Sequence, residues 1–189
     1  MTDSKPSPQV LLLPGWQNSD ADHWQSRWEQ RYGYTRVQQH DWQRPLRGDW
    51  SIQLQEAVLE SEREVVLVAH SLGCILTAWW AVHSPLAKTR VKAALLVAPG
   101  DVEQADLRNV LPGWSPVLLQ RLPFASVLVG SHNDPYCSWS RAQQMAHAWG
   151  ARLVDAGAAG HINTDSGLGD WDAGHALLQQ LMKDERHGD

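Results

Sequence analysis

Three residues, in one order along the chain, carry the groups that acyl hydrolysis needs: Ser71, Asp134 and His161. A serine hydroxyl is a poor nucleophile at neutral pH. It attacks a carbonyl carbon only if a general base takes its proton and an acid orients that base. Ser71 lies in the run Val-Val-Leu-Val-Ala-His-Ser-Leu-Gly-Cys-Ile-Leu from Val65 to Leu76. An apolar strand pattern there turns, through Ala69-His70-Ser71-Leu72-Gly73, straight into an apolar helix pattern. That is the setting of a nucleophile elbow, a sharp strained turn that lifts the hydroxyl above the edge of a sheet. Small residues are required two before and two after the serine, because strand and helix backbones crowd there. Gly73 meets the second requirement, and Ala69 meets the first in place of glycine. The plainer alternative is an ordinary strand-to-helix turn with Ser71 as helix cap.

The partners follow in loops after later strands. Asp134 comes in Ser131-His132-Asn133-Asp134-Pro135-Tyr136 after the run Ser126–Gly130, and His161 comes in Gly157-Ala158-Ala159-Gly160-His161 after Arg152–Ala156. Asp101, after the run Ala93–Ala98, competes for the acid position, and Asp134 also suits simple turn chemistry. His147 and His175 fall on helix patterns, and His187 falls in the C-terminal tail. His70 directly precedes the serine, so its side chain should leave the turn in another direction. The oxyanion hole of such a site takes the N–H after the nucleophile and one from the loop after an earlier strand. Leu72 supplies the first. Trp16, in Leu13-Pro14-Gly15-Trp16-Gln17, supplies the second, with Gln17 as fallback, and Gly15 would let the backbone approach the substrate oxygen.

These residues need a parallel sheet to hold them. Strands are expected at Val10–Leu13, Val65–Ala69, Ala93–Ala98, Ser126–Gly130 and Arg152–Ala156, with a weaker one at Thr35–Gln38. The best are near-continuous Val, Leu and Ala, as suits strands buried on both faces. Helices are expected at Asp22–Tyr32, Ser51–Glu60, Leu72–His83, Ser140–Trp149 and Ala173–Met182, from apolar spacing near 3.6 residues. Gly33 and Gly150 act as stops. The alternation predicts an α/β fold with helices on both faces of about six mostly parallel strands. One domain over 10–183 is expected, with a flexible tail at 1–9 and a charged tail at 184–189. Asp101–Pro123 is the least regular stretch and is too short for a large lid domain. The site is therefore open unless that stretch folds over it.

Over most of its length, from Leu11 to about Gly174, the chain resembles the small serine hydrolases of the retinoblastoma-binding protein 9 type, in their bacterial branch. The resemblance is carried by Leu13-Pro14-Gly15-Trp16, His23-Trp24 with Trp28, Asp41-Trp42 with Pro45, and Asp49-Trp50. It continues through Ala69–Gly73, Ala98-Pro99, Asp134-Pro135-Tyr136, Gly160-His161-Ile162-Asn163 and Ser166-Gly167-Leu168-Gly169. It implies a compact, cap-less α/β-hydrolase whose Ser-Asp-His triad maps onto Ser71, Asp134 and His161, and it adds weight to Asp134 over Asp101. Two departures from the wider hydrolase pattern are Pro14, where many hydrolases carry His, and Ala69 at the elbow.

The rest of the composition narrows the function further. A formal charge of −5 gives no basic surface for nucleic acid. No apolar run reaches the roughly 20 residues that span a bilayer, so no membrane partner is expected. The polar start lacks a signal-peptide core, and a cytoplasmic address is expected. Two cysteines, Cys74 and Cys137, make neither a disulfide framework nor a metal site and are expected as free thiols, buried or partly buried. No metal or organic cofactor is implied. Eleven tryptophans stand against one phenylalanine, and most are expected to fill the core, a few to line an apolar pocket. The expected substrate is a small ester or related acyl compound. The reading from another class is a hydrolase-like protein-binding module with an exposed Trp-rich face and little turnover.

Overall fold

The computed structural model describes residues 6–184. Its sheet has six strands in the order β2-β1-β3-β4-β5-β6, and every neighbouring pair is parallel. The strands are β1 Gln9–Leu13, β2 Thr35–Arg36, β3 Val65–His70, β4 Val91–Val97, β5 Ala125–Gly130 and β6 Arg152–Asp155. The helices are α1 Trp24–Tyr32, α2 Arg47–Glu60, α3 Leu72–His83, α4 Leu86–Arg90, α5 Ala105–Val110, α6 Trp139–Trp149 and α7 Asp172–Lys183.

Alternation along the strands divides the core in two. Leu11, Leu13, Leu67, Ala69, Leu96 and Leu128 meet α2, α3 and α6 through Leu54, Val58, Ile75 and Trp149. Their neighbours Val10, Leu12, Val66, Val68, Leu95 and Val129 meet α1 and α7 through Trp24, Trp28, Leu178 and Leu181. A sheet covered on both faces explains why β3, β4 and β5 read as continuous apolar runs. Six of the eleven tryptophans (Trp24, Trp28, Trp50, Trp80, Trp114 and Trp149) are buried in this core. No tryptophan is among the exposed large hydrophobic residues described, and Trp16, Trp42, Trp79, Trp139 and Trp171 are half-buried. Both cysteines are free and buried, and burial raises both thiol pKa values.

Several boundaries differ from expectation for physical reasons. Gln9 is not tail but strand, paired with Val65, and its amide donates to Thr35 Oγ1 at 3.2 Å. The rest of the tails, residues 1–5 and 185–189 with His187, lies outside the described residues. β2 is shorter than expected, because as an edge it pairs only with β1. Arg36 there turns to Glu29 at 2.7 Å. α2 starts one turn early, at Arg47, and its Gly48 is exposed with open space where a side chain would be. Gly33 and Gly150 end α1 and α6 in left-handed geometry, donating back to Glu29 and Ala146.

The chain runs from β1 out to β2 and returns to β3 on the other side of β1. In such sheets, ligands bind in the crevice at the carboxyl ends of the strands where the order reverses. The loop after β1 and the turn after β3 flank that crevice.

Candidate active site

At the end of β3 the chain passes through Ser71 with φ 53° and ψ −117° and enters α3. A positive φ is costly for a residue with a Cβ, of order 1–3 kcal/mol, and persists only where the surroundings enforce it. Here Ser71 N–H donates to Val97 of β4 at 3.0 Å, while its carbonyl accepts from Cys74 at 3.0 Å. The close approach of helix to strand explains Gly73: a Cβ there would lie 2.3 Å from the Leu13 carbonyl oxygen.

The structure brings together the three side chains singled out from the sequence. His161 Nδ1–H donates to Asp134, 2.9 and 3.0 Å from its two carboxylate oxygens. That leaves Nε2 to accept from the Ser71 hydroxyl at 2.9 Å. The Asp134 side chain is only 2% exposed and also accepts the Tyr136 N–H at 2.9 Å. The competitor, Asp101, is engaged elsewhere. It lies 3.3 Å from Arg141 Nε and accepts from the Glu103 N–H, while Arg141 also pairs with Glu103.

The loop carrying His161 is tied down from the loop carrying Asp134. Asn133 Oδ1 accepts from Gly160 N–H at 2.7 Å and from Ser131 Oγ at 2.9 Å, and Ser131 Oγ accepts from Ala159 N–H at 2.9 Å. His70 leaves the turn away from the Ser71 hydroxyl. Its Nε2–H donates to the carbonyl of His161 at 2.9 Å, a positioning bond that sequence reasoning did not find.

Of the two backbone donors expected for an oxyanion hole, Leu72 N–H opens α3 and Trp16 N–H follows Gly15. Neither is given to a protein acceptor among the described residues. The fallback Gln17 is engaged, since its N–H donates to Trp42 at 3.0 Å. Gly15 lies against the elbow. A Cβ on it would come within 2.8 Å of Ser71 Cβ and 3.4 Å of Leu72 N. The Trp16 indole donates to Gln43 at 2.9 Å and anchors the loop.

Around these groups lies a cleft of about 440 Å³, whose apolar border is formed by Trp16, Val102, Leu107, Leu111 and Tyr136 among polar neighbours. That size falls within the usual range of small-molecule sites. The irregular stretch 101–123 therefore contributes one wall, through α5. It is held to the core by Trp114, which donates to Pro45 at 2.9 Å and packs on Trp50.

Residues 10–180 match a family model described as serine hydrolase. The chain belongs to the serine hydrolase family. The resemblance to the retinoblastoma-binding protein 9 type is consistent with that family. Among solved structures, this serine hydrolase is similar to a YdeN-like hydrolase from Pectobacterium atrosepticum, with 29% identity and a TM-score of 0.83 over 94% of this chain and 91% of that one. It is also similar to the ydeN gene product of B. subtilis, at 19% identity and TM-score 0.79 over 94% of this chain and 100% of that one. A hydrolase of the alpha/beta superfamily from Xanthomonas campestris shares 20% identity at TM-score 0.59, over 92% and 99% of the two chains. No curated protein matches the sequence. The chain is a hydrolase with the α/β-hydrolase fold. No described helix is long and apolar enough to cross a membrane.

Two buried imidazoles beside the site make the fold acid-sensitive. Burial lowers the His23 pKa from 6.5 to about 4. Burial, followed by the neighbouring His23 and His161, holds His70 well below 6.5. The unfolded chain therefore takes up protons near pH 6.5 that the folded protein refuses. Their contribution to stability is fully present above that pH and is lost as pH falls toward the folded values. Urea unfolding between pH 6.5 and 5, above the main carboxylate range, should show stability falling by up to about 1.4 kcal/mol per pH unit per ring. A flat profile would contradict the buried neutral state of both.

Proposed function

We propose that this hydrolase cleaves small carboxylic esters or related acyl compounds through a Ser71–His161–Asp134 triad and an acyl-enzyme intermediate. The observation that carries the reading is the unbroken hydrogen-bonded chain from Ser71 Oγ through His161 to Asp134, with Ser71 and His161 lining the cleft. Ser71 Oγ attacks the carbonyl carbon as His161 Nε2 takes its proton. The oxyanion that forms accepts from Leu72 N–H and Trp16 N–H, donors fixed in place before charge develops. The tetrahedral intermediate collapses, the bond to the leaving oxygen breaks, and His161 returns the proton to that oxygen. Water then adds to the acyl-enzyme with His161 as base. The bond to Ser71 breaks, its hydroxyl is restored and the acid is released. Asp134 holds the imidazole in the tautomer that can accept from Ser71 and stabilises its charged form. The apolar residues that line the cleft support an acyl group of modest size.

The test is labelling with a fluorophosphonate, which requires only an activated serine and an oxyanion hole. The expected result is one adduct, mapped to Ser71 by mass spectrometry and absent in Ser71→Ala. Folded protein that takes up no label would overturn the assignment.

A further inference from the structure

Two glycines come close to the nucleophile, and the fold requires only one of them. A Cβ on Gly15 would lie 2.8 Å from Ser71 Cβ, so packing demands glycine there. Gly100, in the loop after β4, is different. Its φ is not left-handed. A Cβ on it would meet nothing closer than ordinary van der Waals contact, with Ser71 Oγ at 3.4 Å, Leu107 Cδ1 at 3.8 Å and Ser71 C at 4.0 Å. Gly100, Ser71 and Leu107 all line the cleft. The folded chain would therefore accept alanine at this position. What glycine leaves free is room for one methyl group in contact with the attacking oxygen.

The neighbours of that room decide which part of a substrate meets it. The tetrahedral carbon formed by attack carries Ser71 Oγ, the oxyanion, the leaving oxygen and the α-carbon of the acyl group. The oxyanion must lie about 2.7–3.2 Å from Leu72 N and Trp16 N, and the leaving oxygen as close to His161 Nε2. None of these three nitrogens is among the nearest atoms to the Gly100 Cβ position. Outside Gly100 and its chain neighbours, the third-nearest atom is already 4.0 Å away. The Gly15 Cβ position, by contrast, is 3.4 Å from Leu72 N and belongs to the oxyanion. The room at Gly100 is thus left to the acyl chain. A near-attack complex holds the carbonyl carbon about 3–3.5 Å from Oγ, so substituents on the α-carbon fall in the same contact shell. The Leu107 methyl group beside it suits an apolar branch.

We propose that Gly100 is a specificity-determining residue, and that the room it leaves beside Ser71 Oγ receives a branch on the α-carbon of the acyl group. The enzyme accordingly accepts esters of α-branched carboxylic acids, which a side chain at this position would exclude. This rests on the proposed roles of Ser71, His161 and the two backbone donors.

The experiment compares 4-nitrophenyl butanoate with 4-nitrophenyl 2-methylpropanoate, isomers with one leaving group that differ only in branching at the α-carbon. Each rate is taken relative to hydroxide-catalysed hydrolysis of the same ester. Wild type should treat the two within about threefold in kcat/KM, below the roughly tenfold that one misplaced methyl group costs in a pocket. In Gly100→Ala the branched ester should fall about a hundredfold further than the straight one. A wild type that rejects the branched ester by that factor, or a folded variant that slows both alike, would overturn the proposal. Leu107→Ala provides a second reading if Gly100→Ala does not fold. It withdraws the methyl group nearest the same room and should raise turnover of the 2,2-dimethylpropanoate ester relative to butanoate about tenfold. An unchanged ratio there would count against the proposal equally. Ser71-dependent turnover with ratios indifferent to both variants would sink the Gly100 proposal alone. Absence of both Ser71-dependent turnover and fluorophosphonate labelling would bring down the triad reading with it.

Discussion

Asp134→Asn is expected to lower kcat about 10⁴-fold while leaving KM and the unfolding midpoint close to wild type. The carboxylate of Asp134 accepts the Nδ1–H of His161 with both oxygens and is almost wholly buried. An asparagine of the same shape keeps the packing but can turn an N–H₂ toward Nδ1. The ring then carries its proton on Nε2, where it opposes the Ser71 hydroxyl instead of accepting from it. On the proposed mechanism, Ser71 loses its base without losing its place. Asp101→Asn is the matched control, because Asp101 also follows a strand of the sheet and stood as the rival acid. It lies 3.3 Å from Arg141 and makes no bond to His161, so kcat should stay within about threefold of wild type, no transition-state contact being removed. Steady-state kinetics on one chromogenic ester reads both variants. If Asp101→Asn proved the dead variant and Asp134→Asn the active one, the acid would have been assigned wrongly.

That comparison also marks where the sequence stopped being informative. β3, β4 and β5 were legible because strands covered on both faces carry apolar side chains at nearly every position, a pattern that local reading captures. The order Ser71, Asp134, His161 was legible because each follows a strand at one edge of the sheet. The sequence favoured Asp134 over Asp101, but no local feature of either segment explains the choice. It turns on Arg141, a residue of α6 that reaches back to Asp101 and Glu103 across nearly forty positions of sequence, and no local pattern signals such a pairing. The first turn of α2, from Arg47, lies outside the apolar stripe that marks the helix, and the open space at Gly48 makes glycine harmless there. α5, which ends just before Pro112, Gly113 and Pro116, is too short to show a period.

Gly73→Ala should destabilise the protein by about 3 kcal/mol or more in urea unfolding, at the upper end for inserting one carbon into a packed interior. The sequence asks for a small residue here as part of the elbow. The structure identifies what it must clear. The added Cβ would lie 2.3 Å from the oxygen and 3.0 Å from the carbon of the Leu13 carbonyl, and 3.1 Å from the Pro14 oxygen. All three are backbone atoms, so no side-chain rotation relieves the clash. β1 cannot retreat cheaply either, because Leu13 pairs in register with Ala69 at the end of β3, and its carbonyl also accepts from the Gln25 amide. Either α3 lifts from the sheet or the end of β1 is pushed out. The second movement carries Gly15 and Trp16 with it and takes a backbone donor away from Ser71. The variant that does fold should therefore lose activity as well as stability, since one close contact between backbones holds both the elbow and the loop opposite it. Gly48→Ala is the contrasting case, in open space on α2 without positive φ, and should be neutral or stabilising by about 0.5 kcal/mol. A Gly73→Ala protein within 1 kcal/mol of wild type, by contrast, would mean that helix and strand do not meet as closely as this geometry requires.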